Sequence, residues 1–147
     1  MRLAVAGLAA TAALVPGSGV ASDRGYLGTW RIVASSPAPW IDAREASAEP
    51  LSDRLSGKTV TFAPTRITAP PPLQCRRPRY RLREASLEGL FQGSLTRPGE
   101  QAPMLGFTGR TVRTLETGCN GWFEFHFTAA DTALFALDNR IYILRRR

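Results

Sequence analysis

The chain has 147 residues, enough for one domain, and its 19 basic and 12 acidic residues give a net charge of +7. Lys58 is the only lysine, so the other 18 cations are arginines. A hydrophobic fraction of 44% excludes an intrinsically disordered chain. The basic balance favours attraction to anions such as lipid head groups, lipopolysaccharide or acidic proteins, the alternative being a merely solvated surface rich in arginine.

The N-terminus predicts a cleavable secretory signal peptide over residues 1–21. Arg2 supplies a positive start, residues 3–15 form an uncharged apolar run, and small residues lead to Ala21. The run is too short for a membrane-spanning helix, and no later stretch is long and apolar enough to be one. No cysteine follows the apolar run of residues 3–15 where a lipoprotein would be lipidated, so we do not expect lipid attachment. We expect a periplasmic or secreted protein with a mature domain over residues 22–147, for which nucleic acid is a poor partner.

Cys75 and Cys119 are the only cysteines, and in an oxidising compartment this pair predicts one disulfide. Closing a loop of this length stabilises a fold by roughly 4 kcal/mol in the chain-entropy model. A metal or redox pair is the alternative. The spacing is not C-x-x-C, and His126 is the only histidine, so we expect neither a metal nor a cofactor.

Short segments that alternate between apolar and polar residues predict strands in the mature chain. They are residues 26–34, 57–62, 66–68, 73–83, 105–107, 111–116, 122–128, 132–137 and 140–144. Helical turns are expected near 42–48 and 87–95, and a loop over 97–104. Asp138 and Asn139 form a two-residue hairpin link, because both residue types tolerate positive φ. Short links favour an all-β, antiparallel up-and-down barrel of about seven to eight strands; a β-sandwich is the alternative.

The run Gly28-Thr29-Trp30, early in the first strand, resembles the opening of calycin-type barrels such as lipocalins and avidins. The resemblance implies a tryptophan at the closed end of the barrel, with an arginine of the last strand packed on it. Arg145, Arg146 or Arg147 fits that role. The layout is also similar to exported proteins of Gram-negative bacteria with the same opening. A second resemblance, to periplasmic protease inhibitors built as small barrels, implies an inhibitory N-terminal arm such as residues 22–25.

Candidate catalytic groups are few. His126 is the only histidine that could serve as a general base, with Glu124 on the same strand face to orient it. The sequence holds no G-x-S-x-G turn, so we expect a surface or barrel-lining histidine and no enzymatic activity. Acid–base chemistry on sugars needs two carboxylates held about 5–10 Å apart. Glu116 and Glu124 face one another if their strands pair, which nothing in the sequence requires, and a salt bridge to an arginine is the expected alternative.

Two sets of residues are candidates for binding. Alternate arginines along residues 73–83 form either an anion-binding strand face or a solvated face that protects a sheet edge. These arginines are Arg77, Arg79, Arg81 and Arg83. The candidate lining of a cavity for a small apolar ligand is Trp30, Trp40, Tyr80, Trp122 and His126.

The sequence therefore predicts a non-enzymatic periplasmic or secreted binding protein. Its ligand is expected to be a small apolar molecule or a component of the cell envelope, and its partner an envelope protein or an anionic lipid. A periplasmic protease inhibitor and a structural envelope protein are the alternatives.

Overall fold

The structure is a computed structural model and describes residues 24–48, 53–119 and 123–147. The predicted signal peptide and Trp122 lie outside the described residues. Within the described ranges, nine antiparallel strands form one curled sheet, in the order β4-β3-β2-β1-β9-β8-β7-β6-β5. The predicted all-β fold is confirmed.

The strands are β1 (Gly28–Pro37), β2 (Thr59–Ala63), β3 (Arg66–Thr68), β4 (Cys75–Arg76), β5 (Arg81–Ser86), β6 (Thr111–Glu116), β7 (Glu124–Ala129), β8 (Thr132–Leu137) and β9 (Arg140–Arg146). Two short α-helices are α1 (Ala43–Ala48) and α2 (Pro98–Met104), and a 3₁₀ segment spans Leu87–Gly93. Side chains on alternate positions of each strand face the inside or the outside of the curled sheet.

The hairpin between β8 and β9 follows directly from local sequence. Asp138 and Asn139 adopt φ values of 50° and 56°, the left-handed conformation that a type I′ link requires. The register from Leu137 with Arg140 to Thr132 with Arg145 then runs along both strands without a shift. The predicted hairpin is confirmed.

The two edge strands of the sheet, β4 and β5, are consecutive in the chain and only residues 77–80 lie between them. We call residues 75–81 the seam. The backbone N–H of Arg77 donates to Thr65 O at 3.0 Å, and that of Arg79 donates to Thr117 O at 2.8 Å. The seam therefore bonds to the chain beside both edges of the curled sheet, which leaves fewer backbone groups exposed there.

The predicted disulfide is confirmed, and it ties the same two edges together. Cys75 in β4 is bonded to Cys119, three residues beyond the end of β6, with their Cα atoms 6.0 Å apart. Gly118 beside it has φ of +64°, and a Cβ there would lie 3.1 Å from Arg79 Cβ. Glycine is therefore the residue that allows the chain after β6 to approach the seam this closely.

One predicted strand is wrong. Residues 73–83 were expected to be one extended piece, but β4 ends at Arg76 and β5 begins at Arg81. The physical reason is local, because Arg77 has a left-handed φ of 59° and Pro78 has no N–H to donate to a neighbouring strand. The expected single face of alternating arginines is therefore broken, and only Arg81 and Arg83 share a strand.

The inside of the sheet is filled by side chains. Trp30, Phe125 and Phe135 are each at most 2% exposed, and the rings of Phe62 and Phe125 meet edge to face with centroids 4.9 Å apart. The interior cluster is Trp30, Ile32, Leu55, Val60, Phe62, Ile67, Leu73, Leu115, Phe125, Ala133, Phe135, Tyr142 and Leu144. This packing is typical of small barrels, whose own side chains occupy the interior.

A second core lies on the outside of the sheet, under the 3₁₀ segment and α2. Its buried members are Ala38, Ala85, Leu90, Phe91, Leu95, Ala102, Phe107, Val112, Leu134 and Ile141. The predicted loop over 97–104 is wrong, because Pro98 starts a helix in which Gln101 Oε1 accepts from the N–H of Arg97 at 2.8 Å. The predicted strand over 105–107 is also wrong, since Phe107 is buried in this outer core without pairing to a strand.

Candidate functional site

A cleft of about 680 Å³ opens on the outside of the sheet beside the seam, and we call it the seam cleft. It is lined by Arg79, Arg81, Gln92, Glu116, Thr117, Gly118, Cys119, Phe123 and Glu124. Small-molecule sites typically occupy about 300–1,000 Å³. The seam cleft therefore has room for a ligand of moderate size, and it combines charged groups with an aromatic ring.

Strand register brings the charged residues of the cleft together. Arg81 of β5 lies opposite Glu116 of β6, and Glu116 lies opposite Glu124 of β7. The condition under which the two glutamates face one another, the pairing of their strands, is therefore met. Two carboxylates directly opposite each other on neighbouring strands repel, so a cation is needed between them.

Arg83 is that cation. Its Nε donates to Glu116 Oε1, and its Nη2 donates to Glu124 Oε1 at 3.0 Å. The bond to Glu116 and, more weakly, the one to Glu124 raise the pKa of the Arg83 guanidinium. The side chain of Arg83 is 28% exposed, and those of Glu116 and Glu124 are 29% and 15% exposed. This network therefore forms a partly desolvated floor of the cleft.

Arg79 and Arg81, the other two arginines at the cleft, make weaker ion pairs than Arg83 or none. Arg81 is 73% exposed and its Nη1 lies 3.7 Å from Glu116 Oε2. Arg79 is exposed and has no ion-pair partner among the described residues. The guanidinium groups of Arg79, Arg81 and Arg83 outnumber the carboxylates of Glu116 and Glu124, so the cleft carries excess positive charge. Arg79 and Arg81 can therefore bind an anion while the ion pairs of Arg83 stay intact.

Further arginines extend this positive charge along the seam. Arg66 of β3 and Arg76 of β4 lie directly opposite each other, and both are exposed. Like charges in this position destabilise a sheet unless an anion lies between them. Exposed Arg77 follows immediately in the chain. The seam therefore carries a cluster of cations whose combined field attracts anions from solution.

His126 lies beside the cleft but is fully buried. Its Nε2 accepts the N–H of Phe91 at 3.0 Å, and its Nδ1 lies 2.9 Å from Thr114 Oγ1. Since the Thr114 hydroxyl donates to Val112 O at 3.2 Å, Nδ1 carries the proton and donates to the threonine. Burial, helped by the positive charge of Arg83, lowers the pKa of His126 to about 3. The ring is therefore neutral, with both nitrogens occupied.

The predicted surroundings of His126 are wrong. It lies neither on an exposed strand face nor in the barrel interior, but on the outside of the sheet beneath Phe91 and Phe107. Glu124 Oε2 lies 3.8 Å from His126 Nε2 and has no hydrogen-bond partner among the residues that the structure describes. The neutral ring cannot form an ion pair with it, and the two residues do not form a base with its orienting partner.

A second cleft of about 490 Å³ continues the first across the outer face. Gln92, Phe123 and Glu124 line both clefts. Trp40 lies at the far side, where its Nε1 donates to Asn139 Oδ1 at 3.2 Å. The two clefts are therefore parts of one continuous surface depression.

The predicted aromatic lining does not converge on one cavity. Trp30 is 1% exposed in the interior core, Trp40 packs on Phe91 outside the sheet, and the Tyr80 hydroxyl donates to Ala63 O at 2.9 Å. Burial also raises the pKa of Tyr80. Gln92 and Phe123 line the cleft but were not predicted as site residues. No signal in the sequence marks them, since the cleft forms only when residues 87–107 fold over the outside of the sheet.

No family model, curated protein or solved structure matches this chain.

Two further features of the described residues bear on the kind of site. None of their helices is long and apolar enough to cross a membrane. Their histidine, cysteine and acidic side chains do not gather in a group of three or more that could hold a metal ion.

Proposed function

We propose that this chain is an exported, non-enzymatic binding protein that holds a phosphate-bearing component of the cell envelope in the seam cleft. The observation that carries the proposal is the pairing pattern of the arginines. Arg83 is committed to two carboxylates, whereas Arg79 and Arg81 line the same cleft with guanidinium groups available to an anion. A guanidinium group binds phosphate through two parallel hydrogen bonds, which favours arginine at such sites.

The wider seam supports this ligand class. The opposed pair Arg66 and Arg76 and the neighbouring Arg77 add positive charge outside the cleft itself. Such a field raises the local concentration of anions and speeds their encounter with the site. Phe123 supplies an aromatic surface at the edge of the cleft for an apolar part of the ligand. The disulfide is compatible with the oxidising compartment in which such a component is met.

Two observations weigh against the other functions. The interior of the sheet is packed with side chains, which does not favour a small apolar ligand bound inside. The single histidine is neutral and occupied on both nitrogens, which does not favour general-base chemistry.

We also propose a relationship to calycin-type barrels. Arg146, in the last strand, lies over the ring of Trp30, with its guanidinium carbon 5.4 Å from the ring centroid. This is the arrangement that the Gly28-Thr29-Trp30 opening implies. In this proposal the ligand site lies outside the sheet, beside the seam, rather than in a hollow interior.

Sedimentation with lipid vesicles tests the function. The protein is expected to pellet with vesicles that contain phosphatidylglycerol and to stay in solution with pure phosphatidylcholine. Binding should be lost in about 1 M salt, where the Debye length falls to about 3 Å. A calorimetric titration with glycerol phosphate distinguishes a soluble phosphate ester from a lipid surface. Binding to neither phosphatidylglycerol vesicles nor glycerol phosphate contradicts the proposal.

A matched pair of charge reversals locates the site. Arg79→Glu removes a cation of the seam cleft and should weaken vesicle binding about tenfold, since each cation near an anionic surface contributes about 1 kcal/mol and the new carboxylate repels phosphate. Arg145→Glu changes net charge equally at an exposed position of β9 opposite Arg31, outside the cleft. It should bind almost normally. Equal losses in both variants indicate a general charge effect and contradict a site at the seam.

A further inference from the structure

The second cleft differs from the seam cleft in the charge of its lining. Arg79 and Arg81 line the seam cleft, whereas the described residues that line the second cleft include no arginine or lysine. They include two acidic and three aromatic residues, namely Glu124, Asp138, Trp40, Phe91 and Phe123. The continuous depression therefore has a cationic part and, next to it, an acidic and aromatic part.

Glu124 lies where the two parts meet, because it lines both clefts. Its Oε1 accepts from Arg83 Nη2 at 3.0 Å, but its Oε2 is buried and has no hydrogen-bond partner in the described parts of the chain. His126 Nε2, 3.8 Å away, cannot donate to it because that nitrogen already accepts from the N–H of Phe91. A buried carboxylate oxygen without a donor is costly, so this position favours a ligand that brings a donor.

The other carboxylate of the second cleft is already paired. Asp138 Oδ2 accepts from Arg54 Nη2 at 2.8 Å, and both side chains are more than half exposed. Glu124 is therefore the better partner for a cationic group of the ligand. Phe123 also lines both clefts, and the face of an aromatic ring attracts an ammonium group. A carboxylate and an aromatic residue thus lie together at the boundary of the cationic part.

We propose that this depression binds a phosphoethanolamine group. Its phosphate binds to the two arginines of the seam cleft, Arg79 and Arg81. Its primary ammonium group, two carbon atoms away, lies against Glu124 and Phe123. The ammonium donates to the Glu124 carboxylate, which turns from His126 towards the cleft, so that Oε2 gains the donor it lacks. The inference rests on the proposed function and deepens it by naming the second charged group of the ligand.

Calorimetric titrations of the wild-type protein with three phosphate esters test the proposal. Phosphoethanolamine should bind about tenfold more tightly than glycerol phosphate, the effect of one hydrogen bond between charged groups. General attraction to the arginines predicts the opposite order, because the ammonium cancels one negative charge. Choline phosphate should bind no more tightly than glycerol phosphate, since its nitrogen carries no hydrogen to donate.

Sedimentation with phosphatidylcholine vesicles that contain phosphatidylethanolamine distinguishes the two sources of the group. Pelleting with these vesicles assigns a lipid head group. Binding of soluble phosphoethanolamine without pelleting assigns a free ester.

Glu124→Gln locates the ammonium site, because it keeps an oxygen for Arg83 and removes the charge of the carboxylate. Its affinity for phosphoethanolamine should fall about tenfold, whereas its affinity for glycerol phosphate should hold or rise, since a negative charge near the arginines is lost. Glu84→Gln is the matched control. Glu84 is exposed, follows Arg83 in β5 and so lies on the opposite face of the strand, and it lines neither cleft. This variant should bind phosphoethanolamine as the wild type does.

Three results overturn the inference and leave the proposed function standing. They are equal wild-type affinities for phosphoethanolamine and glycerol phosphate, binding of choline phosphate as tight as that of phosphoethanolamine, and an equal loss in Glu124→Gln and Glu84→Gln. A parallel loss of both ligands in Glu124→Gln also overturns it, because such a loss reports damage to the fold or to the phosphate site. A wild-type protein that binds neither glycerol phosphate nor phosphatidylglycerol vesicles contradicts the proposed function itself.

Discussion

The guanidinium group of Arg146 lies over the ring of Trp30 and also forms hydrogen bonds with the chain just before β1. Its Nη1 donates to Gly25 O and its Nη2 donates to Leu27 O at 2.6 Å. Trp30 Nε1 in turn donates to Tyr26 O at 2.8 Å. One arginine of the last strand thus fixes the chain that leads into the first strand.

We predict that Arg146→Ala lowers the free energy of unfolding by about 1–2 kcal/mol, because it removes a cation–π contact and two hydrogen bonds from a charged donor at an exposed position. Urea unfolding followed by tryptophan fluorescence measures this change. Arg147→Ala, at an exposed neighbouring position, is the control and should cost less than about 0.5 kcal/mol. Equal effects of the two substitutions would show that the contact with Trp30 does not stabilise the fold.

His126 should make stability depend on pH. Its pKa is lowered from 6.5 to about 3 in the folded protein, so the unfolded chain binds more protons between these values. The stabilising effect of the neutral histidine is therefore complete above pH 6.5 and is lost as the pH falls towards 3. We expect the free energy of unfolding to drop by up to about 1.4 kcal/mol per pH unit within this window.

The same histidine offers a direct check, since it is the only one in the chain. Its ring-proton resonance in the folded protein should show no titration between about pH 8 and pH 4.5. A midpoint near 6.5 would mean that the ring is exposed to water, which contradicts its burial beneath Phe91 and Phe107.

Arg83 should matter far more than Arg81. Arg83→Met leaves Glu116 and Glu124 opposite each other without their shared cation, and we expect a loss of about 2 kcal/mol at neutral pH. Arg81→Met removes an exposed side chain with a single 3.7 Å ion contact and should cost no more than about 0.5 kcal/mol. Acid should rescue Arg83→Met in part, because protonation removes the repulsion between the carboxylates. Thermal unfolding at two pH values measures both effects.

The elements that could be predicted from sequence are those fixed by neighbours in the chain. The hairpin at Asp138 and Asn139 depends on the φ preference of two residues, and β2 follows from the alternation of Val60 and Phe62 with threonines. The facing of Glu116 and Glu124 depends on the register of β6 with β7, which nothing in the sequence requires.

The parts that could not be predicted depend on contacts between distant segments. His126 is buried by Phe91 and Phe107, which belong to the chain between β5 and β6 that covers the outside of the sheet. The sequence of that stretch shows neither helical nor strand periodicity. The break at Arg77 has a local cause, but its bonding to the chain beside both sheet edges, through Thr65 O and Thr117 O, depends on segments far away in sequence. The seam cleft exists only where that break, the 3₁₀ segment and the chain after β6 come together.

A ligand site at the seam is tested most directly by an NMR titration of the isotope-labelled protein with glycerol phosphate. Amide shift changes are expected at residues 77–81, Gln92, residues 117–119 and Phe123, with the inward-facing residues of the strands unaffected. Changes that centre on the interior cluster around Trp30 and Phe135, or on the exposed pair Arg31 and Arg145, would contradict a ligand site at the seam.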